Sequence, residues 1–298
     1  MGIETKFKFK SKAASLLVGV SMLAISSTAS GLETLPEDKS MSGMKIELVG
    51  RDDLWTYKSC DNYNESPLTK SYVDAGKLPP VNERMPKEPW MAKTDQMVDG
   101  IGEYGGTFRH VIGGRPEGFN WLAGQSQGWG GINIQLMESL TRLGPLWQIK
   151  PDEANPLPNL AKDWEWSSDR KSLTMNLIEG ARWSDGDIFD TEDIDFWWND
   201  NVQDANVASR LPKDALGAGT TLEILGPYSF KFNFDEPKGN AVLAQLAYMG
   251  GAPGPSHVMK PLHPAHNSDA TYESYANGMP ASVLPIVTLG AYVPVVHK

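Results

Sequence analysis

A chain of 298 residues with 40% hydrophobic and 21% charged side chains has the composition of a folded globular protein, not a disordered one. Its formal net charge of −10 leaves no basic stripe to neutralise phosphates, which argues against a nucleic-acid partner. One cysteine, Cys60, allows no internal disulfide, and the "TYKSC" around it lacks the small apolar residues of a lipid-attachment site.

In chain order, Lys6, Lys8, Lys10 and Lys12 form a basic start, Ala13 to Ile25 a short apolar core, and Ser27-Thr28-Ala29 a small-residue cleavage pattern. The apolar stretch is shorter than the about 20 residues that span a bilayer. Residues 1–29 therefore read as an export signal, and the mature protein as periplasmic. Residues 30–105 are rich in turn formers, as in "GKLPPVNERMPKEP", and predict an extended arm with at most short helices.

From residue 106 the texture changes. "TFRHVI" predicts a strand that ends at Gly113-Gly114, and a glycine-rich loop follows. In "INIQLMESLTRL", Ile132, Ile134, Leu136, Met137 and Leu140 recur at helical spacing. "DWEWSSDRKSLTMNLIEG" predicts a hairpin in which Trp164 and Trp166 share one face of the first strand and Leu173, Met175 and Leu177 share one face of the second. Asp190 then predicts a helix N-cap, with Glu192 and Asp193 in the first turn and Ile194, Trp197 and Trp198 on the buried side. "TLEILGPYSFKFNF" predicts a second hairpin, "AVLAQLAYM" a helix and "TYESYANGM" a short helix. Interleaved strands and helices put the chain in the α/β or α+β class.

Several motifs invite chemistry. "GIGEYG" at 100–105 matches a dinucleotide fingerprint, but no strand precedes it and no helix follows. "GQSQG" at 124–128 matches a nucleophile elbow, which would make Ser126 the nucleophile of a hydrolase. Asp185 and Asp193 could serve a glycosidase if they faced each other across an open cleft. His257, His263 and His266, near Asp269, lie in a proline-broken loop, which favours incidental histidines over a metal site. Trp121 and Trp129 flank the glycine-rich loop between a strand and a helix, where an exposed indole can stack on a ligand; burial against the arm is the plain alternative.

The stretch "LPNLAKDWEWSSDRKSLTMNLIEGARWSDGDIFDTEDIDFWWND" resembles the signature of the extracellular solute-binding proteins that serve dipeptide, oligopeptide and nickel ABC importers. Leu160-Ala161, Trp164, Ser167, Asp169, Gly180, Trp183 to Gly186, Phe189, Glu192, Asp193 and Phe196 carry the match. "LPPVNERMPKEP" and "IGEYGGTFR" resemble the N-terminal arm of a long-chain branch. The resemblance implies an α/β fold of the type II periplasmic-binding-protein kind, with residues 106–298 forming an incomplete first lobe. It implies a receptor that is not an enzyme, needs no cofactor, closes two lobes on its ligand and is a monomer when complete. The expected partners are a peptide or other small solute, with oligosaccharide as the alternative, and the permease subunits of an ABC transporter. The expected ligand contacts are Asn120, Trp121, Trp129 and Tyr248.

Overall fold

The computed structural model describes residues 155–277 apart from 248 and, before them, stretches lying chiefly within 63–92, 113–125 and 137–143. The two expected hairpins are present and join into one sheet. Strands β5 (Ala161–Trp166) and β6 (Ser172–Leu177) form the first, and β7 (Thr221–Gly226) and β8 (Ser229–Asn233) the second. The sheet is antiparallel with strand order β5-β6-β8-β7.

Side chains alternate across a pleated strand, so β6 and β8 each send one set to the same face. Leu173, Met175, Leu177, Phe230 and Phe232 on that face are fully buried. Register places Met175 opposite Phe230 and Leu173 opposite Phe232. On the outer hairpin turn, Arg170 takes a positive φ of 60° and its guanidinium lies 4.0 Å above the Trp166 ring.

The helix expected after Asp190 begins there. The Asp190 side chain accepts from Glu192 N at 2.8 Å, and Asp193 reaches back to Asp190 N at 3.3 Å, which is a capping box around Thr191–Asp195. The helix then widens into a π-helix over Phe196–Val202, a rare form. Within it Asn201 Nδ2 donates to Phe196 O at 3.0 Å and its Oδ1 accepts from the Tyr275 hydroxyl. Trp197 and Trp198 are buried on the same element, and Trp198 meets Phe232 edge-on at 4.9 Å. This helix-on-sheet contact is the centre of the core.

The described part of the arm holds short helices at Pro67–Asp74 and Val81–Arg84. Its strands β1 (Trp55–Tyr57) and β2 (Trp90–Ala92) form a small pair.

One expected element differs. The helical spacing over 132–143 does not yield a helix in its described part: Met137–Ser139 have no regular structure and Thr141–Arg142 form strand β3. That strand pairs with β4 (Leu157–Pro158). Leu140 N donates to Gly251 O and Thr141 N to Leu246 O, so distant carbonyls take the donors a helix would have used. "TFRHVI" lies outside the described residues. Among the described residues of "AVLAQLAYM", Ala241–Gln245 are α-helical, and of "TYESYANGM", Tyr272–Asn277.

Candidate functional site

Two segments converge on the loop at 118–125. Gly124 closes the turn with φ 77°, and a Cβ there would stand 2.2 Å from Ala208 O. A Cβ on Gly254 would stand 2.5 Å from Leu122 Cδ1, and one on Gly250 3.1 Å from Leu211 N. Glycine is thus what lets the loop at 118–125, the segment at 207–211 and the turn at 250–254 touch.

Asn120 organises the loop. It is fully buried, its Oδ1 accepts from Ala123 N at 3.3 Å, and its Nδ2 donates to Tyr275 O at 2.8 Å. Gln125 N closes the turn onto Asn120 O at 3.0 Å. Through Tyr275 the loop is tied to Asn201 on the π-helix, and burial pushes the Tyr275 phenol well above its ordinary range, keeping it a neutral donor. Replacing Asn120 by alanine leaves Tyr275 O and Ala123 N without their side-chain partner; the expected loss of stability is about 2 kcal/mol, read from urea unfolding.

Trp121 does not stand out as an open platform. It opens a 3-10 turn, Trp121–Ala123, at 3% exposure inside the core cluster, and its Nε1–H has no hydrogen-bond partner among the described residues. Trp129 and Tyr248 lie outside the described residues.

The acidic stretch 185–204 has a structural use at almost every carboxylate. Residues 256–275 cross it as a strap. His257 Nε2 meets Asp185 Oδ2 at 2.7 Å and its Nδ1 meets Asp187 at 3.1 Å. Ser256 N donates to Asp193 at 2.8 Å, His266 pairs with Asp200 at 2.8 Å, and the Tyr272 hydroxyl donates to Asp204 at 2.7 Å. His263 sits fully buried within an aromatic ring of Phe196, Tyr272 and Tyr275.

These contacts bear on the enzyme alternatives. Asp193 is 2% exposed and its oxygens hold Trp183 Nε1, Ser256 N and Asp190 N, so Asp185 and Asp193 do not flank the open cleft that glycoside hydrolysis needs. Ser126 lies outside the described residues, but the residues leading to it form a 3-10 turn where a nucleophile elbow requires a strand. Gln125 and Arg210 escaped sequence reasoning altogether. Arg210 Nη2 donates to Gln125 O at 3.1 Å across 85 residues, a pairing without any periodic signal.

Residues 155–297 match the domain described as bacterial extracellular solute-binding proteins, family 5 Middle. Over 289 residues, 96% of the chain, it is 47% identical to a protein of Rhizobium meliloti (strain 1021) named periplasmic alpha-galactoside-binding protein, of which it covers 42%. Its fold is similar to that of the periplasmic binding protein MelB from Agrobacterium fabrum C58, solved in complex with stachyose. There the TM-score is 0.78 and the identity 44%, over 89% of this chain and 40% of that one. Similarity to the oligopeptide-binding protein OppA is lower, with a TM-score of 0.55 and 29% identity over 76% of this chain and 32% of that one. The chain spans about two fifths of the length of the first two relatives. The signature on β5, β6 and the capped helix, the matching domain and the mixed α/β architecture shared with periplasmic binding proteins agree: residues 155–297 carry the middle domain of the bacterial extracellular solute-binding proteins of family 5, and the chain is similar to such proteins over nearly all its length.

Proposed function

We propose that this chain supplies part of the ligand-binding first lobe of an exported, non-enzymatic receptor that captures α-galactosides for an ABC importer. The peptide cargo suggested by the resemblance gives way here to its oligosaccharide alternative. The observation that carries this choice is the 47% identity, extending over 96% of the chain, to a protein named for α-galactoside binding. The similarity to a dipeptide-binding protein, DppE of Bacillus subtilis (strain 168), covers only 83 residues at 34% identity. Stachyose in the MelB complex carries α-linked galactose, which supports the same chemical class.

In this reading residues 1–29 are the export signal, 30–105 the arm and 106–298 the lobe, and the complete receptor works as a monomer in the periplasm with permease subunits as partners. Ligand closes between this lobe and a second one, since a cleft binder gains affinity by enclosing most of the ligand surface. Trp129 and Tyr248 serve as contacts, because apolar sugar faces stack on aromatic rings and their hydroxyls take hydrogen bonds. Trp121, 3% exposed inside the core cluster, offers the ligand no open ring face and acts by shaping the turn. Asn120 acts on the ligand indirectly, by holding the turn that carries Trp121. A melting-temperature screen of the complete receptor against raffinose, stachyose and a dipeptide panel tests the cargo class. Upward shifts confined to the galactosides are expected; shifts confined to peptides would overturn the assignment.

A further inference from the structure

His263 differs from the other histidines of the strap. His257 and His266 pair with carboxylates of the acidic stretch, whereas the His263 ring is fully buried and forms no ion pair among the described residues. Its walls are aromatic: ring centres lie at 4.5 Å for Tyr275, 5.9 Å for Phe196 and Tyr272, and 6.1 Å for His266. The ring's Nδ1 accepts from Ala265 N at 3.1 Å and so carries no proton. In the neutral ring the one proton therefore sits on Nε2, on the side of the Asp200 main chain, although no hydrogen bond of ordinary geometry forms there.

A second proton has only Nδ1 to go to. There it would set an N–H against the Ala265 N–H, break the bond that folds residues 263–265 into a turn, and leave a charge in an aromatic cage. His266 N and Asn267 N also close on His263 O, at 2.9 and 3.0 Å, so one residue anchors the whole bend. The charged and titrating groups around the ring are Asp200 and Asp204 from the π-helix and the turn after it, His266 from the strap, and Tyr272 and Tyr275 from the helix Tyr272–Asn277. Both carboxylates favour the imidazolium, but Asp200 is already paired with His266 and Asp204 with the Tyr272 hydroxyl. Burial outweighs them and holds the ring below its ordinary value of 6.5, with His266 adding to the lowering.

Tyr275 connects this ring to the candidate site. It is the nearest aromatic wall of His263, its hydroxyl donates to Asn201 on the π-helix, and its carbonyl accepts from Asn120 Nδ2 at 2.8 Å in the turn at 118–125. We propose that His263 is a proton-sensitive positioning residue: the neutral ring braces Tyr275 and, through it, the turn at 118–125, and a proton on the ring loosens strap and turn together. The effect on ligand rests on the reading of the protein as an α-galactoside receptor; the coupling within the fold does not. A base held below its unfolded value binds fewer protons folded than unfolded. Its contribution is therefore complete above pH 6.5 and is lost as pH falls below it.

Hydrogen exchange of the complete receptor at pH 7.5 and 5, corrected for intrinsic rates, tests the coupling in the wild type and in His263→Asn, whose amide oxygen can replace Nδ1 as acceptor without titrating. In the wild type, protection should fall at the lower pH in 256–277 and 118–125 together; in His263→Asn it should change less in both. A wild type and variant that respond alike would overturn the proposal, and so would two segments that lose protection at separate pH midpoints in the wild type. The midpoint comparison needs no variant, so it decides even if His263→Asn does not fold. Calorimetric titration with raffinose, which carries no charge of its own, reads the effect on ligand. Wild-type affinity should fall at least about fivefold between the two pH values, and that of His263→Asn by less. Equal wild-type affinity at both would refute a role for His263 at the ligand site. A wild type that binds dipeptides and not raffinose at the higher pH would instead overturn the receptor reading, and exchange alone would then judge His263.

Discussion

Asp193→Ala is expected to destabilise the fold by about 4 kcal/mol at pH 4.5 and by only about 2 kcal/mol at pH 7.5. Asp193 accepts from Trp183 Nε1 at 2.9 Å and Ser256 N at 2.8 Å, and closes the capping box on Asp190 N. Alanine leaves at least two buried N–H groups without an acceptor, each costing roughly 1–3 kcal/mol. Against this stands the cost of the charge. Burial, only partly offset by those hydrogen bonds, raises the carboxyl to about 6 from an ordinary value of 3.8.

A carboxyl whose folded pKa is raised binds more protons folded than unfolded. Its contribution to stability is therefore complete below about pH 4 and is lost as pH rises through 6. Between pH 4.5 and 7.5 that loss amounts to roughly 2 kcal/mol, and it exists only while Asp193 is present. The deficit of the alanine variant must then shrink with rising pH. Urea unfolding of both proteins at the two pH values checks it, because other titrating groups cancel in the difference. A deficit that stays constant or grows toward pH 7.5 would contradict the assignment of Asp193 as a buried, proton-retaining joint between the capped helix and the strap.

Phe232→Ala should cost about 4 kcal/mol at any pH in that range. Phe232 is fully buried on β8, edge-on to Trp198 at 4.9 Å and to Phe230 at 5.4 Å, with Leu173 and Leu222 as its cross-strand neighbours. Truncation removes the ring and leaves a cavity between the sheet and the π-helix, and rigid neighbours on both sides limit collapse. Against a total stability of roughly 5–15 kcal/mol, such a loss is a large fraction of the whole. The denaturant midpoint should fall sharply with little change in slope. A loss below about 2 kcal/mol would mean that the sheet-on-helix contact is not the core's centre.

Local signals in the sequence carried far, and contacts between distant residues stayed hidden. Period-two alternation at Leu173, Met175 and Leu177 and at Phe230 and Phe232 predicts the inner face of the sheet, which is what those residues form. Asp190 as N-cap follows from side-chain chemistry one turn long, and the structure has it. The helix expected over 132–143 gives way in its described part because the carbonyls of Leu246 and Gly251, over a hundred residues on, capture the backbone donors of Thr141 and Leu140. The second partner of Asp193, Ser256 N, is 63 residues away and leaves no trace in local pattern. Trp121 was expected at a loop surface, but it lies inside the core cluster, in a turn where Gly124 lets the Ala208 carbonyl approach and Gly254 leaves room for the Leu122 side chain. The cargo was least legible, since the quoted signature residues build the hairpin and the capped helix and touch no feature that separates a sugar from a peptide.

The most direct test of the galactoside-receptor account is calorimetric titration of the complete protein with raffinose, run beside a dipeptide under identical conditions. The account predicts saturable one-to-one binding of raffinose in the micromolar range or tighter, roughly −8 kcal/mol or more favourable, and no heat from the dipeptide. Saturable binding of the dipeptide with no response to raffinose would contradict it.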